Sequence, residues 1–188
     1  MVVLGISGSL RRESHNTKLL RAAEELLPLD AELVVFDELE AVPPYNEDRD
    51  TEAAPAAAQR LREAIAAADA VLFATPEYNG SIPGQLKNAV DWVSRPHRTS
   101  ALWGKPVAVI GASSGMYGAV WAQADLRKAL GVAGARVVDV EVAVGRAAQR
   151  FDEAGRLVDE ELRDELRSAV ETLVAETTPA PRLKLVAV

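Results

Sequence analysis

Apolar residues in this chain fall into runs of two kinds, and the two kinds alternate. Short continuous runs rich in aliphatic and β-branched residues occur at Met1–Leu4, Ala31–Phe36, Ala70–Thr75, Pro106–Gly111 and Ala135–Val140. Runs of this length bounded by polar residues predict strands, and Ala70–Thr75, apolar almost throughout, predicts a central strand covered on both faces. Between the runs, apolar residues recur at three- and four-residue spacing: Leu19, Leu20, Ala23, Leu26 and Leu27; Leu61 and Ile65; Leu86, Ala89, Val90 and Val93; Leu162, Leu166, Ala169, Val170 and Leu173. That period predicts amphipathic helices. Pro28 closes the first; the second is expected over Thr51–Ala68, with Pro55 tolerable only near its start; the third begins at Pro83 or Gly84. The fourth runs to about Leu130 and the last over Asp159–Glu176.

Strands that alternate with helices imply an open, five-stranded parallel sheet with right-handed crossovers, a doubly wound three-layer α/β/α sandwich. Residues 1–176 are expected as a single domain, with 177–188 as a C-terminal tail, either docked or mobile after Pro179 and Pro181. Asp37–Asp50, with Pro43-Pro44-Tyr45-Asn46, is expected as a long solvated loop, and Val144–Gly155 as irregular. Trp92 and Trp103 are expected to be packing residues and His97 exposed.

Ligands of such sheets bind outside the carboxyl ends of the strands, where strand order reverses. Three unusual loops lie there: Ser7–Asn16 after the first strand, Pro76–Gly80 after the third and Ser113–Gly115 after the fourth. In the order 2-1-3-4-5 these strands are neighbours and the loops meet. Gly5–Thr17 offers hydroxyls at Ser7, Ser9, Ser14 and Thr17, an amide at Asn16 and guanidinium groups at Arg11 and Arg12, next to the free N–H groups of a helix start. That chemistry suits a phosphomonoester. The second and third loops would present backbone groups to a flat heterocycle.

Composition narrows the function. The 188 residues are 48% hydrophobic and 26% charged, with a formal net charge of −7, which argues against a nucleic-acid partner. There is no cysteine, so no disulfide or catalytic thiol is available, and a cytoplasmic setting is expected. No leader pattern and no apolar window of membrane-spanning length is seen, so a soluble, unprocessed chain is expected. No metal site is expected.

Gly111-Ala112-Ser113-Ser114-Gly115 matches a Gly-x-Ser-x-Gly nucleophile elbow, but hydrolases of that fold place the histidine after the serine, and His15 and His97 both precede it. The first loop lacks the Gly-Lys-Ser/Thr of a P-loop and the Gly-x-Gly-x-x-Gly of a dinucleotide fold. His15 is read as a loop residue.

The segment Gly8-Ser9-Leu10-Arg11-Arg12-Glu13-Ser14-His15-Asn16, together with Thr75-Pro76-Glu77-Tyr78-Asn79-Gly80-Ser81-Ile82-Pro83-Gly84-Gln85-Leu86-Lys87-Asn88-Ala89-Val90-Asp91-Trp92, resembles the signatures of the NADPH-dependent FMN reductases. These are flavodoxin-like proteins that include quinone, azo-dye and chromate reductases. Tyr45-Asn46-Glu47-Asp48 and Asp152–Leu157 add to the resemblance, which reaches about residue 176. It implies FMN with its phosphate at Ser9, Arg11, Ser14, Asn16 and Thr17, and its ring against Pro76, Glu77, Tyr78 and Asn79. Ser113, Ser114 and Gly115 would form the third wall.

The resemblance further implies that NADPH or NADH delivers hydride to the flavin N5, that a small electron acceptor then takes two electrons, and that the chain forms a homodimer or homotetramer. No side chain is expected as a general base, and Glu77 is expected to matter through its backbone. A flavodoxin-like electron carrier and a non-catalytic flavin-binding module are the alternative readings. One departure stands out: Gly118-Ala119-Val120-Trp121-Ala122-Gln123 carries tryptophan where the family usually has arginine.

Overall fold

The computed structural model describes residues 1–177. Strands β1 (Val2–Ser7), β2 (Glu32–Phe36), β3 (Ala70–Thr75), β4 (Pro106–Ala112) and β5 (Arg136–Val137) form a parallel sheet in the order β2-β1-β3-β4-β5. Helices α1 (His15–Glu24), α2 (Ala56–Ala67), α3 (Gly84–Val93), α4 (Val120–Val132) and α5 (Glu160–Ala175) cover it. The central strands β3 and β4 are buried at every position, as their apolar runs require. One core layer sets Leu4, Ile6, Val71, Phe73, Val107 and Val109 against α2, α3 and α4. The other sets Val3, Leu72, Ala108 and Ile110 against α1 and α5. This is the flavodoxin-like three-layer sandwich expected from the sequence.

The fifth strand departs from expectation. Ala135–Val140 was expected to run unbroken, but pairing with β4 stops at Val137 and resumes as a sixth strand, β6 (Ala143–Val144), beside Gly111 and Ala112. The chain between them swings away from the ladder. Arg127 of α4 fills the gap, its guanidinium donating to the carbonyls of Val140 and Val109 (3.5 Å to the latter). A side chain from a helix thus replaces strand N–H donors that the alternating valines seemed to promise.

Smaller differences have local causes. The second helix starts at Ala56 rather than Thr51, because Pro55 sits at its N-cap and residues 51–54 form a turn. The 37–50 loop is not merely solvated. Gln85 Nε2 donates to the Leu39 and Val42 carbonyls (2.6 and 2.8 Å), Asn88 Nδ2 and Trp92 Nε1 donate to Pro43 O (2.9 and 2.7 Å), and Asn88 Oδ1 accepts from Tyr45 N (2.6 Å). Polar residues on α3 therefore fasten this loop. Trp92 is fully buried as expected, whereas Trp103 is 46% exposed and His97 meets its ring edge-on. The expected tail 177–188 lies, beyond Thr177, outside the described residues.

Candidate functional site

The first loop owes its shape to short polar side chains. Ser14 is the N-cap of α1 in extended conformation, and its Oγ accepts from Thr17 N at 3.2 Å. Thr17 Oγ1 donates to Ser7 Oγ at 3.1 Å, and Ser9 Oγ accepts from Arg11 N at 3.4 Å. These bonds leave the N–H groups of Arg12, Glu13, His15 and Asn16 without an acceptor among the described residues. The N-terminal end of α1 is thus open to an anion, and the exposed Arg11 guanidinium has no ionic partner among the described residues. Gly8 permits the tight pass beside the second loop: a Cβ there would stand 2.7 Å from Leu86 Cδ2 and 3.2 Å from Pro76 Cδ.

Asn16 brings the first and third loops together. It is 1% exposed, its Nδ2 donates to Ala112 O and its Oδ1 accepts from Ala112 N, both at 2.9 Å. Two bonds across 96 residues of sequence fasten the start of α1 to the end of β4. Its side chain acts as a brace.

The second loop begins with buried Pro76, whose carbonyl accepts from Thr75 Oγ1 at 2.8 Å. Tyr78 and Ser81 exchange backbone hydrogen bonds of 3.2 Å, and Asn79 and Gly80 between them have φ of 54° and 73°. Two consecutive left-handed residues are what a type I′ turn demands, and Asn and Gly adopt them at least cost. The Glu77 carboxylate reaches α4 and accepts from Trp121 N and Ala122 N. Ala119 precedes that helix and has no capping side chain, so Glu77 supplies the cap from another loop.

The third loop is clamped from the β6 side. Ser113 N donates to Val144 O and Ala147 N to Ser113 O, both at 3.0 Å, and Arg146 N donates to Gly115 O at 2.7 Å. Gly118, with φ of 58°, lies so close to Ala143 that a Cβ would meet its carbonyl carbon at 2.3 Å.

The loops converge as expected. Ser9, Arg11, Ser14, Asn16, Pro76, Glu77, Tyr78, Ser113 and Ser114 line one cleft of about 120 Å³. Thr17, Asn79 and Gly115 lie outside that lining, although each belongs to one of the three segments. Two lining residues, His15 and Ala112, were not anticipated. His15 is the first residue of α1 rather than a loop residue, stacked on Phe151 with centroids 5.8 Å apart, and its Nδ1 is buried with no hydrogen-bond partner among the described residues. Burial, with the positive charges of Lys18 and Arg11, lowers its pKa below 6.5, so the imidazole is neutral at neutral pH. Its place directly after an N-cap serine was the available signal.

A larger groove of about 720 Å³ runs between α3 and α4, bordered by Lys87, Asp91, Arg95, Asp125 and Lys128, and contains none of the sequence-predicted site residues. Among the described residues no cluster of His, Asp or Glu could hold a metal ion, and no helix is long and apolar enough to cross a membrane. The smaller cleft combines a helix N-terminus, one unpaired guanidinium and backbone donors from three fixed loops. It can hold a phosphate-bearing ligand and orient a flat polar ring, but it offers no nucleophile–base pair.

Comparison with known proteins agrees with this chemistry. A profile of the NADPH-dependent FMN reductase family matches residues 1–149. An NAD(P)H-dependent FMN reductase of Pseudomonas aeruginosa is 44% identical over 172 residues, 91% of this chain and 92% of the relative. A quinone reductase of Pseudomonas putida is 45% identical over 155 residues, covering 82% of this chain and 83% of its own. Among solved structures, FerB, a flavoenzyme NAD(P)H:(acceptor) oxidoreductase from Paracoccus denitrificans, superposes with a TM-score of 0.83 at 36% identity, covering 94% of this chain and 96% of that one. The chain belongs to the NADPH-dependent FMN reductase family.

Proposed function

We propose that the protein is an FMN-dependent NAD(P)H oxidoreductase that reduces a small acceptor, with residues 1–176 acting as one flavin-binding domain. The observation that carries this reading is the convergence of the three loops on one cleft at the carboxyl ends of β1, β3 and β4. The residues present fit the cofactor. The phosphate end matches the open N–H groups of α1 with Arg11 beside them, and Gly8 lets the first loop pass directly against Leu86 and Pro76.

In this reading Ser9, Arg11, Ser14 and Thr17 hold the phosphate by hydroxyl, guanidinium and backbone donors, and Asn16 contributes its backbone N–H and its brace to β4. Pro76, Glu77, Tyr78 and Asn79 lie along the ring, with Ser113, Ser114 and Gly115 opposite. When bound, FMN supplies the chemistry, accepting hydride from NADPH or NADH and passing two electrons to the acceptor. The chain binds and orients the ring and leaves one side open to solvent at Tyr78. No side chain is assigned a proton-transfer role. The relatives named quinone reductases and FMN reductases make quinones and free flavins the first acceptors to test. We further assign the groove between α3 and α4, with its mixed Lys, Arg and Asp border, to contact with a second copy in a homodimer, and place the protein in the reducing cytoplasm.

Anaerobic mixing of the FMN-loaded protein with NADPH or NADH tests the function. Rapid bleaching of visible flavin absorbance, reversed by a quinone, is expected. Retained colour would leave an electron carrier or a non-catalytic flavin module, and failure to bind FMN would end the flavin reading.

A further inference from the structure

We propose that Tyr117 and Trp121 form an aromatic rim at the mouth of the cleft that stacks the ring of a neutral, planar acceptor. The inference rests on the flavoenzyme reading above and adds a recognition element for its oxidant. Trp121 is 52% exposed and Tyr117 58%, and their rings meet edge to face with centroids 5.1 Å apart at an interplanar angle of 70°. Two large exposed rings held against each other present apolar surface that no other described residue covers.

The rim is fixed to the cleft. Trp121 lies in the first turn of α4, and its backbone N–H is bound by Glu77, which lines the cleft. Tyr117 sits on a loop whose next residue, Gly118, is packed against the backbone of Ala143, which fixes the backbone that carries the ring. Tyr78, 49% exposed, borders the same mouth.

The chemistry of the pair selects its ligand. Indole and phenol rings offer apolar, π-rich faces and edges, which favour offset or edge-on contact with another flat ring. Two acids stand beside the start of α4, Glu77 bonded to its backbone and Asp125 bonded to Ser81 at 2.6 Å, so the rim offers ring faces rather than a cation to its ligand. A quinone-type ring fits; a small inorganic oxidant gains nothing from the rim.

The test compares FMN-loaded wild type with Trp121→Ala, Trp121→Phe and Tyr117→Ala, using 1,4-naphthoquinone and ferricyanide as oxidants. Trp121→Ala is expected to raise KM for the quinone by about 3- to 10-fold, the range of one aromatic contact, with kcat, FMN affinity and the ferricyanide kinetics unchanged. Trp121→Phe should restore most of the loss. Calorimetric titration with 1-naphthol, a planar compound that accepts no electrons, should show the same weakening without turnover. Unchanged quinone KM and naphthol affinity overturn the rim, as does an equal effect on ferricyanide or a loss of FMN from the variants. A switch from dimer to monomer in Trp121→Ala also overturns it, since the rings then belong to a protein interface. If wild type itself takes up no FMN, the flavoenzyme reading falls and the rim with it; if wild type binds FMN and oxidises NADPH while Trp121→Ala keeps the wild-type KM for the quinone and the wild-type affinity for naphthol, the rim alone falls.

Discussion

The carboxylate of Glu77 accepts hydrogen bonds from the backbone N–H groups of Trp121 at 3.1 Å and Ala122 at 3.2 Å. A residue of the second ligand-facing loop thus caps a helix that begins after the third. Negative charge at a helix N-terminus is favoured by the helix dipole, and the two bonds satisfy donors that α4 could not pair by itself.

Glu77→Ala is therefore expected to lower stability by about 1 kcal/mol, the usual worth of an N-cap, and Glu77→Gln by less, because the amide oxygen still accepts. Chemical denaturation of the flavin-free protein reads this. If the carboxylate instead moved a proton during turnover, Glu77→Gln would lower kcat by about 100-fold or more, whereas a cap predicts little change.

Arg11 is exposed and its side chain makes no hydrogen bond within the described residues, so Arg11→Ala should leave the fold intact. Removal of one charge-assisted phosphate contact is expected to weaken FMN binding by about 10- to 100-fold. Fluorescence titration of free FMN measures the affinity, and an unchanged melting temperature of the flavin-free protein verifies that only binding moved.

Asn16 behaves differently, since its amide is buried and both bonds go to Ala112. Asn16→Ala strands a buried N–H and a buried C=O, a cost of about 2–4 kcal/mol from two unsatisfied groups. Urea unfolding of the flavin-free protein should show that loss, and FMN affinity should fall with it as the first and third loops separate. A drop in affinity with full stability would contradict the brace.

His15 gives a pH dependence whose sign follows from its lowered pKa. In the unfolded chain the imidazole takes up a proton near pH 6.5, while the folded protein resists protonation until lower pH, so the unfolded state binds more protons between the two values. Stability of the flavin-free protein should therefore fall as pH drops below 6.5 and level off beneath the folded value. His15→Phe keeps a ring against Phe151 and should flatten that part of the profile, measured as melting temperature between about pH 5 and 8.

Much of this architecture was legible in the residues because local and global signals agree. The buried run Ala70–Thr75 could be little other than a central strand. The three loops were legible as a group because topology alone carries them to one edge. The rest depends on partners far away in sequence. The interruption of the fifth strand is made by Arg127, ten residues upstream and on another element, while Val138, Val140 and Val142 still alternate like a strand. The fastening of the 37–50 loop depends on Gln85, Asn88 and Trp92, whose spacing reads as one face of α3 without saying what that face holds. His15 was misplaced because a single imidazole after a serine carries no periodic signal.

The break between β5 and β6 also bears on how copies of this protein meet. A sheet edge with a continuous row of free N–H and C=O groups invites another strand, and that route leads to open-ended stacking. Here the edge is two dipeptides separated by an outward bend, with Arg127 bonded inside the bend to the carbonyls of Val140 and Val109. A strand arriving on this side therefore finds no continuous row of backbone groups to pair with, and the break itself blunts the edge.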